Sequence, residues 1–112
     1  GRDALERHAW REAYDRLSEA DRAGSLPGEG LELLAYAAYW TARPDETVEV
    51  IERAYAAYLE EGNTASAALM AFRLAEQHGM RMSAPQAQGW AARAERLAAL
   101  LRPGPPPPAG FP

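Results

Sequence analysis

Hydrophobic side chains recur along this chain at the spacing of α-helices. In the stretch DETVEVIERAYAAYLEEGN, residues 45–63, one helical face carries Val48, Ile51, Tyr55 and Tyr58. An earlier stretch has the same spacing at Trp10, Ala13, Tyr14, Leu17 and Ala20. No segment alternates apolar and polar residues with the period of two that half-buried strands show. The pattern therefore predicts an all-α chain.

Polar residues and glycines mark where the first two helices begin and end. Asp3 and Glu6 have the spacing of a capping box, which predicts a helix start near Asp3, and Gly24 predicts its end. The segment SLPGEG, residues 25–30, has the proline and glycine content of a loop. A second helix is expected over residues 31–41. Because it is apolar on nearly every side, it should be packed between neighbours.

Three further helices are expected. Asp45 should cap the third helix and Gly62 should end it. The fourth, over residues 65–78, is again apolar on every side and should stop at Gly79. The segment SAPQ, residues 83–86, is a capping box that starts a fifth helix. One face of that helix carries Ala87, Trp90, Ala91, Ala94, Leu97 and Leu101.

The last ten residues, PGPPPPAGFP, differ from the rest in composition. Four consecutive prolines cannot continue a helix and favour polyproline II. We therefore expect residues 1–102 to form the helical domain and residues 103–112 to be a tail or a linker to another domain. In the alternative, the prolines and Phe111 dock in an aromatic-lined groove, for instance on a neighbouring copy.

A short motif recurs in these helices. The pattern at Ala13-x3-Leu17-x2-Ala20 reappears 34 residues later, starting at Thr47, and again after 40 more, starting at Ala87. A 34-residue period of paired helices resembles the tetratricopeptide repeat. The resemblance implies a right-handed stack of antiparallel helix pairs, with about five to six helices, and a turn at His8 that ends an earlier helix. An ordinary helical bundle is the alternative.

A more particular resemblance covers residues 3–101. The blocks ERAYAAYLEEGN, residues 52–63, and GWAARAERL, residues 89–97, look like a helical-repeat region of large actinobacterial signalling proteins. In those proteins the region accompanies a LuxR-type helix-turn-helix or a class III nucleotide cyclase domain. The resemblance implies a regulatory module, and neither output domain is recognisable within these residues.

Composition and charge exclude several kinds of chemistry. The chain has no Cys, which rules out disulfides and thiolate catalysis, and its net charge of −4 does not predict a nucleic-acid-binding face. The longest apolar run, residues 33–42, is about half the length of a membrane span. We expect a cytoplasmic protein that contacts neither membrane nor nucleic acid through this segment.

No catalytic or metal site is predicted. His8 and His78 lie at opposite ends of the helical region and have no companion ligands in the sequence. No serine lies in a His–acid arrangement, and no glycine-rich phosphate loop is present. Trp10 and Trp90 are interpreted as packing residues. We therefore expect a non-enzymatic chain without metal or cofactor.

The best candidate for a binding site is a stripe on the second helix and its counterpart on the fourth. In a tetratricopeptide-like stack, positions spaced i, i+4 and i+7 on the first helix of each pair line a concave groove. With the 34-residue shift, these positions are Glu32, Tyr36, Tyr39, Ser66, Met70 and Arg73. Tyr, Met and Arg are enriched where proteins meet. In the alternative, Tyr36 and Met70 are core residues.

These features predict a non-catalytic interaction or regulatory module of a multidomain signalling or transcription-regulatory protein. Its groove would hold a protein partner or an attached output domain. The alternative is a plain helical homodimerisation or scaffold domain without a groove. A stack of two and a half repeats has open ends, which a homodimer or further repeats would cover.

Overall fold

The computed structural model describes residues 2–24 and 26–102, which form five helices joined by short connections. The helices are α1 (Arg2–Ala23), α2 (Gly28–Trp40), α3 (Pro44–Glu60), α4 (Thr64–Met80) and α5 (Ala84–Leu101). No strand occurs in the described ranges. The predicted all-α class is confirmed. The predictions for the proline-rich tail, residues 103–112, lie outside the described residues.

α1 is one continuous helix, so the predicted turn at His8 is wrong. Residues 2–23 contain neither Gly nor Pro and consist largely of good helix formers. Residues 2–9 are exposed, so no tertiary contact interrupts the helix there. The predicted turn depends on the repeat alignment alone, and local helix propensity prevails over it.

α2 begins inside the segment whose composition predicts a loop. Pro27 occupies the N-cap in an extended conformation, and Gly28 and Gly30 are helical. The N–H of Gly28 donates to the Glu61 carboxylate over 2.8 Å. That acceptor comes from the far end of α3, so the first turn of α2 is stabilised by a residue distant in sequence.

Two predicted caps differ from the observed ones. α3 begins at Pro44 with Arg43 as its N-cap residue, so Asp45 lies in the first turn, where a negative charge favours the helix dipole. Ser83 is the N-cap residue of α5, but its side chain makes no capping hydrogen bond. α4 also continues through Gly79 and ends one residue later.

The three connections between α2 and α5 have the same backbone structure. At each, the N–H of the third turn residue donates to the carbonyl five residues earlier: Arg43 to Ala38 (2.9 Å), Asn63 to Tyr58 (2.8 Å) and Ser83 to His78 (2.8 Å). The middle residue has a positive φ at Ala42 (58°), Gly62 (76°) and Met82 (58°). This is the Schellman arrangement for ending a helix.

These turns recur every 20 residues, so a helix pair from α2 onward spans 40 residues. Thr47 and Ala87 are each the fourth residue of their helix, consistent with the 40-residue displacement of the motif. The 34-residue shift is wrong for α2 and α4, which end at Trp40 and Met80.

The buried core lies in the three middle helices. Its residues are Leu31, Leu34, Ala35, Val48, Val50, Ile51, Ala54, Tyr58, Ala67, Met70 and Leu74. α1 and α5 contain no buried residue and contribute only partly buried side chains to the core. α1 to α5 therefore form a stack whose buried residues lie in its middle and whose outer helices are partly exposed.

Side chains also join helices that are not consecutive. Between α1 and α3, Arg53 forms two hydrogen bonds to the Asp21 carboxylate, of 2.7 and 2.8 Å. Between α3 and α5, the rings of Tyr55 and Trp90 meet edge to face with centroids 5.1 Å apart. Side chains of α3 thus contact both α1 and α5. No helix in the described ranges is long and apolar enough to span a membrane.

Candidate functional site

An open groove of about 560 Å³ runs between α2 and α4. Its floor includes Ala35, Thr47 and Ile51, all of which are buried. Its sides carry Tyr36, Tyr39, Arg73, Glu76, Gln77, Gly79 and Met80. The groove therefore has an apolar base and sides of mixed aromatic, charged and thioether character.

Tyr36 is held from two directions. Its hydroxyl donates to the Glu32 carboxylate over 2.7 Å, and the Arg73 guanidinium carbon lies 4.9 Å from the centre of its ring. Burial, followed by the bond to Glu32, raises the pKa of the Tyr36 phenol. The phenol therefore stays protonated, and the ring presents a fixed surface that joins α2 to α4.

Glu32 and Ser66 lie outside the groove, in a neighbouring depression of about 390 Å³. There Glu32 accepts a second hydrogen bond, of 2.6 Å, from the Tyr58 hydroxyl. Burial, followed by this bond, raises the pKa of Tyr58. Glu32 thus accepts hydrogen bonds from Tyr36 of α2 and Tyr58 of α3. From its place outside the groove, it fixes the position of the Tyr36 side chain.

The structure brings together only part of the predicted stripe. Tyr36, Tyr39 and Arg73 line one groove, whereas Met70 is fully buried at 0% exposure and cannot line it. The predicted placement of Met70 is wrong because α2 and α4 end 40 residues apart, so the 34-residue shift stops six residues short of Glu76, the counterpart of Tyr36.

On α4, sequence reasoning missed three side chains of the groove. Glu76, Gln77 and Met80 follow Arg73 by three, four and seven residues. That spacing places them on the same helical face as Arg73. Extending the stripe along α4 from Arg73, rather than carrying it over from α2, identifies them.

A second surface feature is a stack of aromatic rings where α1 meets the end of α2. The rings of Trp10 and Trp40 are stacked with centroids 6.3 Å apart, and Tyr39 stacks on Trp40 at 5.2 Å. Trp40 is 59% exposed, so core packing does not account for it. The interpretation of Trp90 as a packing residue agrees with its contact to Tyr55, but Trp10 belongs to this surface stack.

The stack borders a cleft of about 460 Å³. The cleft is lined by Asp3, Glu6, Arg7, Trp10 and Trp40. Asp3, Glu6 and Trp10 are three and four residues apart and therefore share one face of α1. The cleft combines aromatic surface with charges of both signs.

The geometry of both sites suits recognition. Within residues 2–24 and 26–102, no group of three or more His, Asp or Glu side chains is arranged to hold a metal ion. The groove offers donors at Arg73, an acceptor at Glu76 and apolar surface at Met80 and Tyr39. Such a set can hold a peptide segment by hydrogen bonds and apolar contact.

No protein-family model, curated protein or solved structure matches this chain.

Proposed function

We propose that this chain is a non-catalytic interaction module, and that the groove between α2 and α4 binds a segment of another protein or of an attached output domain. The observation that carries the proposal is a fixed polar wall above a buried floor. Tyr36 is held by Glu32 and Arg73, while Ile51 and Thr47 close the base. A preformed site loses little conformational entropy on binding.

The rim of the groove supports the same proposal. Tyr39 is 48% exposed and Met80 is 67% exposed, and both side chains line the groove. Tyrosine and methionine are enriched in protein interfaces, and a flexible methionine adapts to the shape of its partner. Arg73 and Glu76 would fix the register of a segment that carries both charges.

The biological setting follows from the resemblance to repeat regions of actinobacterial signalling proteins. In that setting the module is cytoplasmic, and the occupied groove biases the activity of an output domain on the same polypeptide, such as a LuxR-type helix-turn-helix or a nucleotide cyclase. The stacking of α1 to α5, with α3 in contact with both α1 and α5, is compatible with a tetratricopeptide-like array.

Site-specific photo-crosslinking in the full-length protein tests the proposal. A photoreactive phenylalanine analogue replaces Gln77 or Met80 in the groove, and replaces Leu59 of α3 as a matched control. Leu59 is 43% exposed and lies outside the groove. We expect positions 77 and 80 to crosslink to the same segment and position 59 not to do so. If all three positions give the same products, or none gives any, the groove is not the binding site.

A plain homodimerisation or scaffold domain is the second candidate. The observation in its favour is apolar surface left open on the outer helices: Leu5 of α1 is 71% exposed and Leu100 of α5 is 75% exposed. A dimer through the apolar face of α2 is disfavoured, because Leu31 and Leu34 are already buried within the chain. A tight dimer in sedimentation that persists after removal of residues 103–112, together with an uncrosslinked groove, would favour this candidate.

A further inference from the structure

We infer that the stack of Trp10, Trp40 and Tyr39 is a docking site for the proline run of a second copy of this chain, residues 105–108. The site shares Tyr39 with the groove between α2 and α4, but Trp10, Trp40 and the cleft beside them lie outside that groove, so this inference does not rest on the proposed function. The shape, hydrogen-bonding groups and charge of the site favour this occupant, and the reach of the tail requires that it come from another copy.

The first property is shape. Polyproline II presents flat apolar rings on three sides of a rigid helix, and proteins bind it in grooves lined by aromatic side chains. Trp10, Trp40 and Tyr39 form consecutive stacked rings beside an open cleft. Trp40 is 59% exposed and Tyr39 is 48% exposed, so both rings are accessible to such a ligand.

The second property is hydrogen bonding. A run of prolines has carbonyl acceptors and no N–H donor, so its receptor must supply donors. In the described part of the chain, neither the indole N–H of Trp10 nor that of Trp40 donates to a protein acceptor. The Arg7 guanidinium lines the same cleft and adds further donors.

The third property is charge. Asp3 and Glu6 lie on the same face of α1 as Trp10, and Asp3 is seven residues away, about 10 Å along the helix. In the ligand, Arg102 precedes the first of the four prolines by three residues. If the tail is bound as polyproline II from Arg102 onward, Arg102 would lie about 14 Å from the middle of the run. A tail that places its prolines on the tryptophans thus brings Arg102 near the two carboxylates.

Distance requires the prolines to come from another copy. Trp40 ends α2 at the same end of the stack where α5 begins, since the ion pair between Arg81 and Asp45 joins the turn before α5 to the start of α3. The 18 residues of α5 then carry the chain about 27 Å away from that end. The proline run lies three to six residues beyond Arg102, a reach of at most about 21 Å. The tail of one copy cannot return to its own Trp40.

A peptide titration tests the contact directly. A synthetic peptide of residues 102–112 is titrated into the chain lacking residues 103–112, and tryptophan fluorescence is followed. We expect saturable binding, and no binding when alanine replaces the four prolines. Trp40→Ala should weaken binding by at least about tenfold, as for loss of one aromatic anchor. Phe72→Ala is the matched control: Phe72 is 54% exposed on α4 and does not line the cleft, so its removal should leave binding unchanged.

Self-association of the full chain provides the second measurement. We expect sedimentation velocity to show concentration-dependent association that is lost on removal of residues 103–112 and in Trp40→Ala. Circular dichroism melting reports whether each variant is folded. If Trp40→Ala is not folded, the double variant Asp3→Asn, Glu6→Gln replaces it. That variant should weaken binding of the Arg102 peptide and not that of a peptide with Gln at 102.

Several results would overturn the inference. Among them are a peptide that does not bind, an alanine peptide that binds equally well, and association that is unchanged without the tail. Tighter binding of a proline-rich peptide of unrelated sequence would assign the site to another protein instead of a second copy.

Discussion

Replacing Ala42 with glycine should stabilise this chain, and replacing Gly62 with alanine should destabilise it. Both residues sit at the middle of a Schellman turn with a positive φ, 58° at Ala42 and 76° at Gly62. The two turns have the same hydrogen bonds. Only glycine adopts this backbone conformation without a steric penalty. Met82 is in the same position in the third turn and supplies an independent repeat of the experiment.

The magnitude follows from two opposing effects. A non-glycine residue in the left-handed region costs roughly 1–2 kcal/mol. Replacement by glycine removes this cost. It also raises the entropy of the unfolded chain, which reduces the gain in stability by about 0.4–1 kcal/mol. We therefore expect Ala42→Gly to stabilise by about 0.5–1 kcal/mol, and Gly62→Ala to destabilise by about as much. A Cβ at Gly62 meets no atom within 4 Å, so backbone strain and not a steric clash accounts for the loss.

Met82→Gly should behave like Ala42→Gly, since the Met82 side chain is 92% exposed and loses little packing. The two turns are neighbours, because Arg81 pairs with Asp45. Comparison of the double variant with the two single variants therefore measures how strongly the turns are coupled. Without coupling, the two gains add to about 1–2 kcal/mol.

Urea denaturation followed by circular dichroism measures these free energies, provided that the slope of the transition is unchanged. Gly24→Ala is the control: Gly24 also follows a helix, meets no atom within 4 Å at its Cβ position and does not have a positive φ. If Gly62→Ala is as stable as Gly24→Ala, or if Ala42→Gly loses stability, the left-handed strain assigned to these turns is incorrect.

Three other substitutions have defined outcomes. Gly28→Ala would place a Cβ 2.6 Å from a ring carbon of Tyr58 and should destabilise by about 1–3 kcal/mol, measured by the urea midpoint. Tyr58→Phe removes a hydrogen bond to the Glu32 carboxylate and should cost about 1.5–3 kcal/mol near neutral pH. Because the pKa of Tyr58 is raised above the ordinary 10.0, the stability that its hydroxyl provides is complete below pH 10 and declines as the pH rises further. Asp21→Asn should cost about 0.5–1 kcal/mol at pH 7, since Arg53 on the other side of the ion pair is 42% exposed. The hydrogen bond from Arg53 lowers the pKa of Asp21 in the folded chain. The stability difference between the unchanged chain and Asp21→Asn therefore persists above pH 3.8, the pKa of Asp21 in the unfolded chain, and disappears as the pH falls through the lowered pKa of the folded chain.

Each of these substitutions has a control or a contradicting outcome. Gly89→Ala, at a helical glycine with open space around it, should stabilise by about 0.5–1 kcal/mol and separates the Tyr58 clash from a general glycine effect. A Tyr58→Phe difference that stays constant from pH 8 to above pH 10 would contradict the raised pKa of Tyr58. For Asp21→Asn, an equal loss of stability at pH 7 and well below pH 3.8 would show that the ion pair is not its cause.

The helices could be predicted because apolar periodicity accumulates over many residues, whereas their ends depend on contacts between elements. Gly28 and Gly30 have loop-forming propensity, yet they are helical. The acceptor for the Gly28 N–H is Glu61, and the Tyr58 ring leaves room only for a hydrogen atom. The turn predicted at His8 is wrong for the opposite reason: it gives an assumed repeat more weight than the local sequence.

The candidate groove was partly predictable for a similar reason. Tyr36 and Tyr39 follow from helical spacing within α2, but Met70 required a register between two helices of different length. The 20-residue spacing of the turns gives that register. It is hard to see in the sequence, because only Gly62 has the residue type that a positive φ predicts, and Ala42 and Met82 give no such signal.

Among the helices that the structure describes, close backbone approach occurs only between those that follow one another in the chain. Each new helix can therefore dock on the one just formed, after closure of a three-residue turn or, at the start, a short loop. Such local topology favours rapid folding and needs no distant segment to be complete first. The burial pattern also predicts that the outer helices unfold locally more readily than the middle ones. α1 and α5, which have no buried residue, should exchange their amide hydrogens soonest, while α2, α3 and α4 exchange only when the whole chain unfolds.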